Sequence, residues 1–268
     1  MKYCFFLDID GTIVDRGKIP TEAFLRVIDK ARSQGHRFFI NTARTRTNVS
    51  PETFHLDKLD GLCAGCGMTV IYRGETVFEA HLPPETAFET VEAIQACQPN
   101  AIFALETVDG LFYSDEVLQE ERPDRIGFKN ADELRKSYPN IKLQKLATYH
   151  GDKFSKETAE NVASIYTAYF HAHYTELVPH GYDKGRAVKV VEQVLGVPHE
   201  STVAIGDSHN DVPMMEYCAY SVAMDNAPDD VKAICDTVTE SVENDGAAKA
   251  IARLCGIDYG KIEAELNS

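Results

Sequence analysis

The sequence predicts an α/β protein: a Rossmann-like parallel sheet with helices on both faces, and a separate α+β domain inserted into it. Three observations carry this prediction. Strand and helix patterns alternate at both ends of the chain, an acidic turn directly follows an apolar strand in each end, and the alternation stops in the middle.

Tyr3 to Leu7 is a short apolar, aromatic-rich run that ends in a carboxylate, and it reads as a buried strand. A helix follows, with Pro20 placed in its first turn. Phe24, Val27, Ile28 and Ala31 recur at helical spacing until Gly35 stops the pattern. Arg37 to Ile40 is the second strand, so the opening reads as a βαβ unit. Late in the chain Ala187, Val190, Val191, Val194 and Leu195 form a helical stripe before a strand at Thr202 to Ile205. Tyr220 to Ala223 and Thr237 to Thr239 read as further strands, separated by helices around 212–217 and 228–234. Both ends therefore belong to one sheet.

Between them, Met68 to Tyr72 and Thr76 to Phe78 are joined through Arg73-Gly74-Glu75 as a hairpin, and Pro83-Pro84 punctuates the chain. A helix is expected from Glu85 to Ala96. Residues 1–81 and 182–268 are read as the core and residues 82–181 as the inserted domain, with Pro179 and Gly181 marking the return.

Composition excludes several classes. Hydrophobic residues at 44% and charged residues at 26% are ordinary for a folded protein. The formal charge of -15 repels phosphate backbones, so no nucleic-acid partner is expected. A small anionic substrate would then need local cations, from a metal or a few placed basic side chains. No apolar run reaches the roughly 18 residues that would span a bilayer. Too few residues precede the first motif for a signal peptide, so a cytoplasmic protein without membrane association is expected. Seven scattered cysteines suit reduced thiols rather than a disulfide framework. Nothing in the sequence sets the oligomeric state.

The chemistry is concentrated at strand ends, where open α/β sheets bind ligands. Asp8-Ile9-Asp10-Gly11-Thr12 closes the first strand. In an extended stretch Asp8 and Asp10 point to the same side, and Gly11 permits a turn that a β-carbon would hinder. Such a pair suits a nucleophile plus a general acid/base. Gly206-Asp207-Ser208-His209-Asn210-Asp211 follows the strand at Thr202 to Ile205 in the same way. Together Asp8, Asp207 and Asp211 supply the hard oxygens that magnesium takes alongside water and a phosphate. Asp and Asn also make ordinary turns and helix caps, but two such clusters at two strand ends disfavour that plainer explanation.

With these clusters in place the sequence resembles the haloacid dehalogenase superfamily of phosphotransferases, in particular its Cof-like type IIB branch. Asp8 to Thr12 is similar to the first motif of that family, Thr42 to the hydroxyl of the second, Lys184 in Tyr182-Asp183-Lys184-Gly185 to the lysine of the third, and Gly206 to Asp211 to the fourth. The segments Ala223 to Ala227 and Glu243 to Ala247 add to the likeness. Only 31 residues separate Asp10 from Thr42 while 141 separate Thr42 from Lys184, so the inserted cap lies between the second and third motifs, as in the type IIB branch.

The resemblance implies a magnesium-dependent phosphatase of small phosphate monoesters, sugar phosphates or similar metabolites, acting through an aspartyl-phosphate. Asp8 is then the nucleophile, Asp10 the acid/base, and Thr42 and Lys184 catalytic groups that neutralise phosphoryl charge. Magnesium is held by Asp8, the Asp10 backbone carbonyl and Asp207, with Asp211 acting through water. Gly11, Thr42, Ala43, Arg44, Lys184 and Asn210 contact phosphate, although Asn210 also suits a helix cap. The inserted segment sets substrate specificity. A phosphomutase of the same fold is the nearest alternative, and a non-catalytic binding or regulatory protein is a further one.

The chain departs from the family pattern in two places. Ala43 stands where Gly is usual, and Ala disfavours positive φ. Cys66-Gly67-Met68 stands where relatives often have Asn-Gly-Ala, and Cys63-Ala64-Gly65-Cys66 forms a C-x-x-C. No second cysteine pair of suitable spacing accompanies it, so core packing is expected rather than zinc or redox chemistry. His171 and His173 share one strand face, without a third ligand.

Overall fold

The computed structural model describes residues 1–15, 18–114, 125–149, 156–170 and 174–268. His171 and His173 lie outside them. The chain forms two compact units: 1–43, 49–79 and 183–268 in the first, 44–48 and 80–182 in the second.

The first unit is an eight-stranded sheet of order β14-β13-β12-β1-β2-β3-β4-β5. Its parallel strands are β1 (Cys4–Leu7), β2 (Arg37–Asn41), β3 (Gly61–Ala64), β12 (Thr202–Gly206), β13 (Tyr220–Ala223) and β14 (Thr237–Val238). β4 (Thr69–Tyr72) and β5 (Glu75–Glu79) extend it as an antiparallel hairpin. Strand residues alternate between two apolar layers, as the pleat requires. Phe5, Leu7, Phe38, Ile40, Val203 and Ile205 pack under α1 (Glu22–Ser33) and Gly246–Cys255. Phe6, Phe39, Cys63 and Ala204 pack under Lys184–Leu195 and Val212–Tyr217. Phe5 stacks on Phe38 with ring centres 4.8 Å apart and Phe6 on Phe39 at 5.6 Å, tying β1 to β2 on both faces.

Two local expectations are corrected. Thr21, not Pro20, starts α1: its hydroxyl accepts from the Phe24 N–H, a stronger start signal than a proline two residues outside the helix. In the helix Lys184–Leu195, Val194 is 49% exposed and Val188 takes its place in the buried stripe, because Val188 lies one turn from Val191 and Lys184.

The second unit is a six-stranded sheet of order β10-β11-β9-β6-β7-β8. Its strands are β6 (Phe103–Thr107), β7 (Leu111–Tyr113), β8 (Arg125–Gly127), β9 (Leu143–Tyr149), β10 (Tyr166–Phe170) and β11 (Tyr174–Pro179), antiparallel except for the β7–β8 pair. One face, including Phe103, Leu105, Phe112, Leu143, Leu146 and Leu177, packs on Pro84–Cys97, Ala131–Ser137 and Lys156–Asn161. No described helix is long and apolar enough to cross a membrane.

Candidate active site

Register sets the site. Leu7 pairs with Ile40 on one side and Ile205 on the other, so Asp8, Asn41 and Gly206 leave three adjacent parallel strands at one level. The Asp8 N–H still donates to the Ile205 carbonyl at 3.1 Å, which anchors its backbone to β12. Beyond Asp8 the chain turns at once: the Ile9 carbonyl accepts from the N–H groups of Ile13 and Val14, each at 3.0 Å. Gly11 has φ +85°, and a β-carbon there would lie 2.2 Å from Asp207 Oδ2, so both conformation and space demand glycine. Thr12 Oγ1 donates to Asp207 Oδ1 at 3.0 Å, joining the first acidic turn to the second.

Lys184 opens its helix, capped by Asp183, whose carboxylate accepts from the Arg186 N–H at 2.7 Å. The lysine is fully buried, and its Nζ donates to Asp8 Oδ1 and Asp211 Oδ1, each at 2.6 Å. The other oxygen of Asp211 accepts from the Asp207 and Ser208 N–H groups, both at 2.9 Å. Asp211 thus fixes the second acidic turn against the lysine. Asp8, Asp207 and Asp211 each present an oxygen within 4.8 Å of the others.

One ammonium faces three carboxylates. Burial first, and then the charges of Asp211 and Asp207, raise the Asp8 carboxyl well above its ordinary value, against the opposing pull of Lys184. Burial and Asp211 push Asp207 up to about 7. Burial would lower Lys184, but Asp211 and Asp8 outweigh it and hold the ammonium charged. The cluster is short of positive charge, and its donors are all hard oxygens. That is the donor set a magnesium ion fits.

The remaining predicted residues fall into place around this cluster or apart from it. Asp10 is half-buried beside Val14 in the turn. Thr42 is buried, its N–H donating to the Cys63 carbonyl at 2.9 Å and its carbonyl accepting from the Cys66 N–H at 3.2 Å. Ala43 is buried and is not among the positive-φ residues, so its β-carbon carries no conformational cost. Arg44 belongs to the second unit, where its guanidinium donates to the Asn48 carbonyl at 3.4 Å. Asn210 is not the cap: Ser208 is, and its hydroxyl donates to the Asn210 side-chain oxygen at 2.9 Å.

Cys63 and Cys66 are both buried, and burial pushes the Cys63 thiol up, away from reactive thiolate. Cys66 has φ +53° between two positive-φ glycines, a conformation that Asn adopts more readily. Sequence reasoning assigned no role to Asn226. Its amide donates to the Gly11 carbonyl at 2.9 Å and its oxygen accepts from the Val242 N–H at 2.9 Å, so it braces the first acidic turn. An Asn three residues beyond the end of β13 was the available signal.

Carboxylates at the carboxyl ends of a parallel sheet, gathered round one buried lysine, define an α/β enzyme of the phosphoryl-transfer kind. Residues 5–251 match the family model of the haloacid dehalogenase-like hydrolases, and the chain belongs to that family. It is a phosphatase of that family, as its relatives are named. The Bacillus subtilis protein YkrA is 28% identical over 251 residues, 93% of this chain and 96% of its own length. The pyridoxal phosphate phosphatase YbhA of Escherichia coli is 26% identical over 88% of this chain and 94% of its own. Among solved structures, the HAD subclass IIB sugar phosphatase BT4131 superposes with a TM-score of 0.76 at 21% identity, covering 95% of this chain and 99% of that one. Likeness at that identity speaks for the fold alone.

Proposed function

We propose that the chain hydrolyses small phosphate monoesters, sugar phosphates or similar metabolites, in a magnesium-dependent reaction that passes through a phosphoryl group carried on Asp8. The observation that supports this most is the Lys184 bridge to Asp8 and Asp211, 2.6 Å on each side, within a cluster of three carboxylates. In this reading Asp8 attacks phosphorus in line and the alcohol departs. Asp10 protonates the leaving oxygen, then takes a proton from the water that hydrolyses the acyl phosphate, a role worth roughly 10²–10⁴-fold. Lys184 and the Thr42 hydroxyl neutralise charge on the transferring oxygens, with Gly11, Ala43, Arg44 and Asn210 as further phosphate contacts. Asp8, Asp207 and the Asp10 carbonyl would hold magnesium, with Asp211 acting through water. The ion would supply the positive charge that lets one anion approach another.

Metabolite monoesters are favoured because relatives act on them: one is a pyridoxal phosphate phosphatase and another a 5-amino-6-(5-phospho-D-ribitylamino)uracil phosphatase. Residues 82–181 are proposed to select the alcohol, since phosphate and metal are common to every monoester and discrimination needs contacts to the leaving group. The reaction is placed in the cytoplasm, without nucleic-acid or membrane partners.

A panel of phosphate monoesters assayed for phosphate release, with magnesium and then with chelator, tests this directly. Steady release that requires the metal and is lost in Asp8→Asn is expected. Release that survives chelator or Asp8→Asn overturns it, and transfer back to substrate without net phosphate would identify a phosphomutase.

A further inference from the structure

Asn41 ends β2, immediately before Thr42, and is fully buried. The three residues before it are Phe38, Phe39 and Ile40, so the strand presents an amide where its own pattern calls for an apolar side chain. The Asn41 Nδ2 donates to the backbone carbonyl of Lys184 at 2.8 Å and lies 3.3 Å from Met214 Sδ. Its Oδ1 has no hydrogen-bond partner among the described residues. The opposite assignment of the amide would set two oxygens 2.8 Å apart, so the donor toward Lys184 is fixed. An enclosed acceptor without a partner is unfavourable, and an apolar residue of the same shape would suit stability as well or better. The amide must therefore be explained by what its donor holds.

What it holds is the first turn of the helix that carries Lys184. That turn is already confined: a β-carbon on Gly67 would lie 2.6 Å from the Asp183 carbonyl oxygen, and one on Gly185 would lie 2.4 Å from the Pro213 carbonyl oxygen. Close packing limits approach but gives no fixed direction. The Asn41 bond adds direction, and it ties the turn to the strand end whose next residue is Thr42.

We propose that Asn41 is a positioning residue for phosphoryl transfer, fixing the Lys184 ammonium relative to the Thr42 hydroxyl so that both meet one phosphoryl group. The inference rests on the functional reading above. It concerns the phosphoryl group and not the alcohol, so its loss should weaken every substrate alike.

The test is Asn41→Leu, which keeps the branching at Cγ and removes the donor, with the smaller Asn41→Ala as a second variant should the first not fold. Each is assayed as the full chain on two chemically unrelated monoesters, with inorganic phosphate as competitive inhibitor and with magnesium titrated. A small misplacement of a catalytic group costs up to about 100-fold, so kcat should fall about 10- to 100-fold, equally on both substrates. The Ki for phosphate should rise, while the magnesium concentration for half-maximal rate and the melting temperature stay near wild type. A purely structural asparagine would change the active fraction and the melting temperature but leave the phosphate Ki of the active molecules unchanged. Wild-type kcat and phosphate Ki in the folded variants, with Asp8→Asn inactive, would overturn the role of Asn41 alone. Activity surviving in Asp8→Asn would instead overturn the parent reading.

Discussion

The two units handle buried charge in different ways. In the first, the strand interiors are apolar and the charged groups begin one residue beyond the last paired residue, at Asp8 and Asp207. In the second, charge sits in mid-strand: Lys145 on β9 and Glu106 on β6 are directly opposite, 3.4 Å apart as an ion pair, and Lys145 also bonds Glu176 on β11. Thr45 Oγ1 at 2.8 Å and Asn48 Nδ2 at 3.0 Å donate to the second oxygen of Glu106. All three charged residues are buried. The first arrangement leaves three carboxylates to one ammonium and pushes Asp8 and Asp207 toward the neutral form. The second sets one ammonium between two carboxylates, and loop donors hold the second oxygen of Glu106.

That contrast explains what the sequence could and could not disclose. Chemistry placed at strand ends is announced by Gly and Asp where an apolar run stops, and Asp8, Asp207 and Asp211 stood out for that reason, whereas Lys184 was singled out only by the family resemblance. Charge in mid-strand carries no such punctuation. Lys145 in Leu143-Gln144-Lys145-Leu146 reads as a solvent-facing residue, because lysine is seldom buried without a partner and the partners lie 31 and 39 positions away. The same reasoning placed the hairpin at Arg73-Gly74 correctly, both residues having positive φ. It missed Asn41 and the brace formed by Asn226, whose roles depend on which loops meet in space.

If the first unit concentrates uncompensated charge, Asp207→Asn should raise the magnesium concentration for half-maximal rate by about two orders of magnitude, the scale on which a lost ligand or its support acts. An unchanged requirement in a metal titration would remove Asp207 from the site. If Lys145 is what neutralises Glu106 and Glu176 in the second unit, Lys145→Met should leave two buried carboxylates without their ammonium and cost about 3–5 kcal/mol, read by denaturant unfolding. A cost under about 1 kcal/mol, the range of surface pairs, would show that the triad is solvated in solution.

The pH dependence separates the units further. Asp8 and Asp207 titrate above the ordinary carboxylate range when folded, so between about pH 4 and pH 7 the folded chain binds more protons than the unfolded one. Stability contributed by their protonated forms is therefore lost as pH rises through that window. Metal-free protein should melt on the order of 5 °C higher at pH 5 than at pH 7.5, with magnesium removing most of the difference. A melting temperature independent of magnesium at pH 7.5 would contradict the charge deficit. The smallest effect is expected at the buried thiols. Replacing Cys63 and Cys66 together by Ala should leave kcat within a few-fold while lowering stability by about 0.5–3 kcal/mol. Activity that follows thiol oxidation in the wild type and loses that dependence in the double variant would make the pair functional.

The central claim is that the phosphoryl group passes through Asp8, and the stereochemical course at phosphorus tests it most directly. Two in-line displacements, first by Asp8 and then by water, invert configuration twice. Hydrolysis of a monoester made chiral with oxygen isotopes and sulfur should therefore yield inorganic thiophosphate with retained configuration. Net inversion would mean a single direct attack by water, and Asp8 would not be the nucleophile.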